Sequence, residues 1–323
     1  MNNLISVVVV TYNSSSFIIE TLDSIAKQTW KEIELIITDD CSKDDTILKC
    51  KKWIEIHQSR FTRNCIIESK VNTGVSANAN RGLKEASGDW ISFPAGDDTL
   101  EPNCLSDNFN WIQKHPQIKV LFSYINVYKN KFHKDHFYKT LPSDPLHPKS
   151  IVAPGRSAES QYRMLLTTDR IHFTPSIFIN KDILLSVGGF DERFKLLEDY
   201  PLWLNLTKKG CQLHFMDKVT VNYRIHSDAI NNKGKDFLIN PNYFKQEKFR
   251  RIYTYPYLPI DKFLEQRFEW FVSLIYYPSF MNKNNKLNRL ILNFLTVYIN
   301  PFRFIIKIKK LLFKNLAENE FYY

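Results

Sequence analysis

Four short clusters in the first hundred residues carry side chains able to do chemistry. They are Thr11-Tyr12-Asn13, Asp39-Asp40-Cys41-Ser42-Lys43-Asp44, Asn72-Thr73-Gly74 and Gly96-Asp97-Asp98. An aromatic ring can stack on a base, and a carboxylate can accept from a base N–H. A pair of aspartates can hold a hard divalent cation through oxygen while leaving room for diphosphate oxygens. Singly, each cluster has a plainer explanation. Asp44 and Asp45 read as helix-cap residues, Asp40 and Gly96-Asp97-Asp98 as turns, and Tyr12 as core.

The clusters need a scaffold that brings four strand ends to one rim. Residues 4–10 form a β-branched run that reads as a buried parallel strand. Residues 33–37, 65–67, 90–93 and 118–122 read as further strands. Between them, residues 16–28, 44–56, 75–86 and 102–114 show helical spacing. This alternation predicts an α/β domain: a Rossmann-like, mostly parallel sheet with helices on both faces. Ligands of such sheets bind beyond the carboxyl ends of the strands, where all four clusters fall. Residues 126–158 lose periodicity and read as a loop-rich insertion. Order returns with a strand at 172–179 and a helix at 181–187, stopped by Gly188-Gly189. A helix at 199–208 and strands at 211–216 and 219–225 follow.

The 323-residue chain is 44% hydrophobic and 24% charged, which excludes wholesale disorder and a disulfide scaffold. Five scattered cysteines fit a reducing compartment. Neither Gly-x-Gly-x-x-Gly nor Gly-x4-Gly-Lys-Ser/Thr occurs, which counts against dinucleotide oxidoreductases and P-loop NTPases. The net charge of +10 is concentrated at the C-terminus, where residues 231–323 carry 16 basic against 7 acidic residues. Residues 271–317 contain no acid and eight basic residues. Within them, Arg303, Lys307, Lys310 and Lys314 recur on one helical face, with apolar residues filling much of the rest. We expect a basic amphipathic tail that meets an anionic membrane surface. The alternative is a helix packed on the preceding domain with its lysines solvated. The tail is too apolar for a solvated nucleic-acid arm, so no nucleic acid is expected.

The run Val7-Val8-Val9-Val10-Thr11-Tyr12-Asn13, then Ile36-Ile37-Thr38-Asp39-Asp40, then Gly96-Asp97-Asp98, then Glu198-Asp199-Tyr200-Pro201-Leu202-Trp203 resembles a family 2 glycosyltransferase of the GT-A fold. The likeness spans residues 4–226, with four motifs in the right order. It implies an inverting transfer of a sugar from a nucleotide-diphosphate donor, a UDP-sugar, with Mn²⁺ or Mg²⁺. The acceptor would be a glycan or lipid-linked saccharide in O-antigen or capsule synthesis. The enzyme would then be cytoplasmic and peripheral on the inner face of the cell membrane.

By position, Thr11, Tyr12 and Asp40 would hold the nucleobase and Asn13 would shape that turn, with Gly74 and Asn80 also on the nucleotide-sugar side. Asp97 and Asp98 would supply metal and ribose contacts, and His226 would reach back to the metal. Gly189, Asp191 and Glu198 would face the acceptor, and the 126–158 insertion would be an acceptor-facing lid. Asp199 would be the general base, kept ionised by its helix N-terminus. Phe190 and Trp203 are read as packing residues. The implied organisation is a catalytic domain at 1–230, nucleotide-binding to about 122 and acceptor-binding from 123, followed by the tail at 231–323.

Two departures stand out. Ala95 occupies the first carboxylate position of the family's Asp-x-Asp-Asp metal motif. Ala79-Asn80 replaces its Arg-Asn, with Arg81 following. These keep two other readings in view: a sugar nucleotidyltransferase, and a catalytically weakened nucleotide-sugar-binding relative.

Overall fold

Strand β1 (Ile5–Thr11) owes its place to four successive valines, and Ile5 to Val9 are all buried. Strand β2 (Ile33–Asp39) is buried along its whole length. Burial on both faces is what a central parallel strand requires. The structure, a computed structural model, describes residues 3–226, 237–239 and 242–323. Two units are present. The first comprises Met1–Gln161 and Arg170–Ile225, and the second Tyr162–Asp169 and His226–Tyr323.

The sheet of the first unit adds β3 (Arg63–Glu68), β4 (Trp90–Ser92), β5 (Thr99–Leu100), β6 (Val120–Lys129), β7 (Phe137–Leu141), β8 (Phe178–Asn180) and β9 (Leu213–Ile225). Its order is β3-β2-β1-β4-β8-β6-β9-β5, with β7 on β6. β1 is parallel to β2 and β4, β2 is parallel to β3, and β6 is parallel to β9. Shorter antiparallel pairings join β8 to β4 and β6, β5 to β9, and β7 to β6. Most paired residues therefore lie in parallel ladders, as expected. Helices α1 (Ile18–Ala26), α2 (Thr46–His57), α3 (Val75–Glu85), α4 (Cys104–Lys114), α5 (Ala158–Thr167), α6 (Lys181–Ser186) and α7 (Asp199–Lys208) connect the strands.

Three details differ from the expectation. The two final strands are one, β9, because the ladder shift opposite Ser123–Ile125 absorbs the extra residues without breaking the strand. The strand at 172–179 is cut to β8, because Pro175 starts a 3₁₀ turn over Thr174–Ser176. The insertion begins as a β6–β7 hairpin. Pro145, Leu146 and residues 152–155 line a cleft with Leu213, His214 and Phe215, at the start of β9.

The second unit contains α8 (Asn242–Tyr253), α9 (Ile260–Tyr276), α10 (Lys286–Asn293) with a π-helical turn over Phe294–Tyr298, α11 (Pro301–Leu312) and α12 (Lys314–Ala317). Asn285 and Asn300 cap α10 and α11 through their side chains. The side chain of Lys314 and residues 227–236 lie outside the described residues.

Candidate active site

The carboxyl ends of β1 and β2 are stitched together. Asn13 and Cys41 adopt left-handed φ values of 52° and 68°, which turns both strands sharply. Asn13 N donates to Ser42 Oγ at 2.7 Å, and Lys43 N donates to Asn13 Oδ1 at 2.8 Å. The stitch leaves Tyr12 41% exposed on the rim, so its ring is available for stacking and is not core. Thr11 is buried, and a Cβ at Gly96 would lie 2.7 Å from its Oγ1, so β1 and the 96–98 turn meet here.

Asp40 is buried, and its oxygens are used. They accept from Thr73 N, Thr73 Oγ1, Gly74 N and Arg81 Nη2 at 2.7 to 3.0 Å. Burial alone would raise this carboxyl. The hydrogen bonds from Thr73, Arg81 and Gly74 outweigh it and hold Asp40 below the usual range. Arg81 also donates to Thr73 Oγ1 and Asn78 Oδ1. The open role of Arg81 is thus to clamp Asp40 and its turn. Asn78, which sequence reading missed, donates to the carbonyls of Thr11 and Thr38 and binds helix α3 to both strand ends.

The other side of α3 holds the chain that leads to Asp199. Asn80 Nδ2 donates to Phe190 O and Glu192 Oε1, and Asn80 Oδ1 accepts from Phe190 N. Asn80, expected on the donor, is spent on this loop. Gly189 sits at φ +72°, and a Cβ there would lie 2.6 Å from Asn80 Oδ1. At Gly74 a Cβ would meet the backbone of Lys195, and Val75 N donates to Lys195 O. Asp191 forms a bidentate pair with Arg193. Phe190 is buried, as the packing reading has it.

Asp199 heads α7, next to Glu198 at the N-cap position. Trp203, one turn on, is fully buried against Phe122, and Phe122 also packs on Phe173. Thr174 follows Phe173 and donates to Asp199 Oδ2 at 3.0 Å, while Tyr200 N donates to Oδ1. The helix terminus is not the only influence on the Asp199 carboxyl. Burial is the larger effect and pushes this carboxyl above its ordinary value, against Thr174, the backbone N–H groups and His172.

At the 96–98 turn, Asp97 is half-exposed and Asp98 is fully buried. Asp98 Oδ1 accepts from Arg224 N at 2.9 Å, and Arg224 Nε donates to Asp97 O at 2.8 Å. The Arg224 side chain also reaches Asn130 O and Glu20, with its guanidinium over Phe132. Sequence reading missed Arg224. The available signal was its phase in β9, which shares the buried face of Thr220. Burial and the Asp97 charge drive the Asp98 carboxyl well upward, against Arg224.

Asp98 Oδ2 is buried with no hydrogen-bond partner among the described residues. An orphaned carboxylate oxygen beside a second carboxylate suits a hard cation. Among the described residues no three His, Cys, Asp or Glu groups gather as a metal centre. Phosphate and water oxygens would have to complete the coordination, as they commonly do for Mg²⁺. His226 follows directly on Ile225, the last residue of β9 and next to Arg224.

Known proteins resemble this chain in sequence and in fold. The chain is 29% identical over 75% of its length to an Escherichia coli protein, the UDP-Glc:alpha-D-GlcNAc-diphosphoundecaprenol beta-1,3-glucosyltransferase WfaP, of which it covers 86%. Among solved structures, S. aureus TarS 1-349 in complex with UDP-GlcNAc matches with a TM-score of 0.61 at 19% identity, over 99% of this chain and 89% of that one. The mannosyltransferase PcManGT from Pyrobaculum calidifontis, in complex with GDP-Man and Mn²⁺, matches with a TM-score of 0.51 at 16% identity, over 95% of this chain and 75% of that one. At these identities the two structures speak for the GT-A fold alone. The model of glycosyl transferase family 2 matches residues 6–183, more than half of the chain and all four strand-end clusters. On that match, with Asp199 heading α7 beyond it, the chain is a glycosyltransferase and belongs to glycosyl transferase family 2.

Proposed function

We propose that this enzyme transfers a sugar, with inversion, from a UDP-sugar to a lipid-linked saccharide during O-antigen or capsule synthesis at the inner face of the cell membrane. The carrying observation is helix α3. One edge fixes the Tyr12–Asp40 wall through Asn78 and Arg81, and another fixes the 189–195 loop ahead of Asp199. Donor and acceptor sides are thereby set against one rigid element. The E. coli relative, named for a UDP-sugar donor and a diphosphoundecaprenol acceptor, supports this choice of substrates.

In this reading Tyr12 stacks on the base, and the Asp40 turn walls it. An acceptor hydroxyl approaches Asp199, whose carboxylate takes the proton as the oxygen bonds to the anomeric carbon. The bond from that carbon to the diphosphate breaks, and the nucleoside diphosphate departs. A base with a raised pKa is a better proton acceptor than an ordinary aspartate. Asp97 and Asp98 would hold a divalent cation, which would offset charge on the departing diphosphate.

The test is donor hydrolysis across a panel of UDP-, GDP- and dTDP-sugars, with and without EDTA. We expect turnover with a UDP-sugar, abolished by EDTA and restored by Mn²⁺ or Mg²⁺. Full turnover in chelator would remove the metal and leave Ala95 as the reason. Preference for another base would overturn the donor.

A further inference from the structure

The second unit is built inside out. Helix α9 carries Asp261, Glu265 and Glu269 at i, i+4 and i+8, a single stripe, and Asp261 and Glu265 are buried. Helix α11 turns its cations onto that stripe. Arg303 pairs with Glu265 at 2.9 Å and Glu269 at 2.6 Å, and Lys309 pairs with Asp261 at 2.7 Å. Lys310 donates to the carbonyl of Tyr322. Arg303, Lys309 and Lys310 of α11 are therefore engaged within the protein.

What α11 presents outward is its apolar face. Phe304, Ile305, Ile308, Leu311 and Leu312 fall within one arc of about 120° at helical spacing. Leu311 is 82% exposed and Phe304 65%. Ile306, on the opposite side, is buried. The same holds at Leu287, Leu290 and Phe294 around α10, and at Phe271, Leu274 and Ile275 on α9, all exposed. A water-facing helix does the reverse, burying its apolar arc and solvating its charges. Paired charges inside and apolar side chains outside are the arrangement hydrocarbon favours, because polar groups there must find partners within the protein.

We infer that this face inserts into a lipid bilayer as a monotopic anchor, held by apolar burial more than by attraction to anionic headgroups. Among the described residues no single helix is long and apolar enough to cross a membrane. Lys286–Tyr298 and Pro301–Leu312 pass that test only together, and they meet at a 54° bend. A bent pair of this kind lies in one leaflet as an interfacial element. Lys283, Lys286, Arg289 and Lys307 are exposed and remain for headgroup contacts. No acidic residue occurs between residues 271 and 317. The inference deepens the proposed lipid-linked acceptor and rests on that reading for its purpose.

The test is flotation of the full chain with phosphatidylcholine vesicles, with and without 30% phosphatidylglycerol, at low and 1 M NaCl. We expect binding to neutral vesicles that survives 1 M NaCl within about threefold. The F304E/I308E/L311E variant, altered only at exposed positions, should lose at least ~100-fold in partitioning while keeping its thermal transition. Donor hydrolysis without vesicles, measured on the same preparations, separates the two readings. Intact hydrolysis without flotation overturns the anchor alone, and flotation without hydrolysis supports the anchor and overturns the proposed donor. Binding that requires the anionic lipid and vanishes in salt overturns apolar insertion. A lipid-free dimer that the triple variant converts to monomer, with no flotation of either protein, assigns the face to a second copy and overturns the proposal.

Discussion

In the proposed mechanism Asp199 is the general base, and two opposed influences tune it. Burial raises its pKa, and the Thr174 hydroxyl lowers it. Activity needs the carboxylate, so the rate should fall as pH drops through that raised value. Thr174→Val removes a hydrogen bond that favours the charged form. The acid limb of the kcat profile should therefore move to higher pH; a shift to lower pH would exclude Asp199 as the titrating base. Asp199→Asn should lower kcat by ~10²-fold or more with donor affinity unchanged, measured by steady-state kinetics and calorimetry. At this scale the sequence was readable only where function and motif order coincide. Asp40 and Asp199 stand in recognisable runs. Asn78, Arg81 and Arg224 do not, because the groups that explain them are 40, 41 and 126 residues away along the chain.

Helix α3 is the element through which the site holds together. Its N-terminus carries Gly74 against Lys195, and Asn80 holds both backbone groups of Phe190. Asn80→Ala leaves a buried N–H and C=O unpaired, at a cost of about 1–3 kcal/mol. The expected outcome is a raised acceptor KM and reduced kcat, with UDP affinity retained. Loss of UDP binding would instead return Asn80 to the donor side. The alternation of strands and helices was legible because β-branched runs and 3.6-residue periodicity are local. The join of two strands into β9 was not, since the irregularity that permits it depends on the partner ladder of β6. Nor was the inward direction of the cations on α11. Amphipathic spacing says that a helix has two faces, and only the acidic stripe on α9 says which one turns in.

For the molecule as a whole, those inward ion pairs change what a truncation means. Cutting the chain at residue 282 removes Arg303 and Lys309, which takes the ion-pair partner from the buried Asp261 and leaves Glu265 with Lys262 alone. Breaking a buried pair costs about 3–5 kcal/mol. We expect the shortened protein to lose cooperative unfolding of its second unit in calorimetry. A truncated protein with an unchanged calorimetric profile would show that these pairs add nothing. Nucleotide affinity, set within the first unit, should survive.

Arg224 has a bearing on the order in which the enzyme comes into being. It is the penultimate residue of β9, and its backbone N–H is the partner of Asp98, synthesised 126 residues earlier. Its side chain closes on Glu20, near the start of the chain. A nascent polypeptide can lay down β1 to β4 as it emerges, yet the turn bearing both aspartates stays unfinished until residue 224 has left the ribosome. If the 96–98 turn holds the donor diphosphate as proposed, that site is among the last parts of its unit to form, and an interrupted chain would have no completed place to bind and spend a nucleotide sugar.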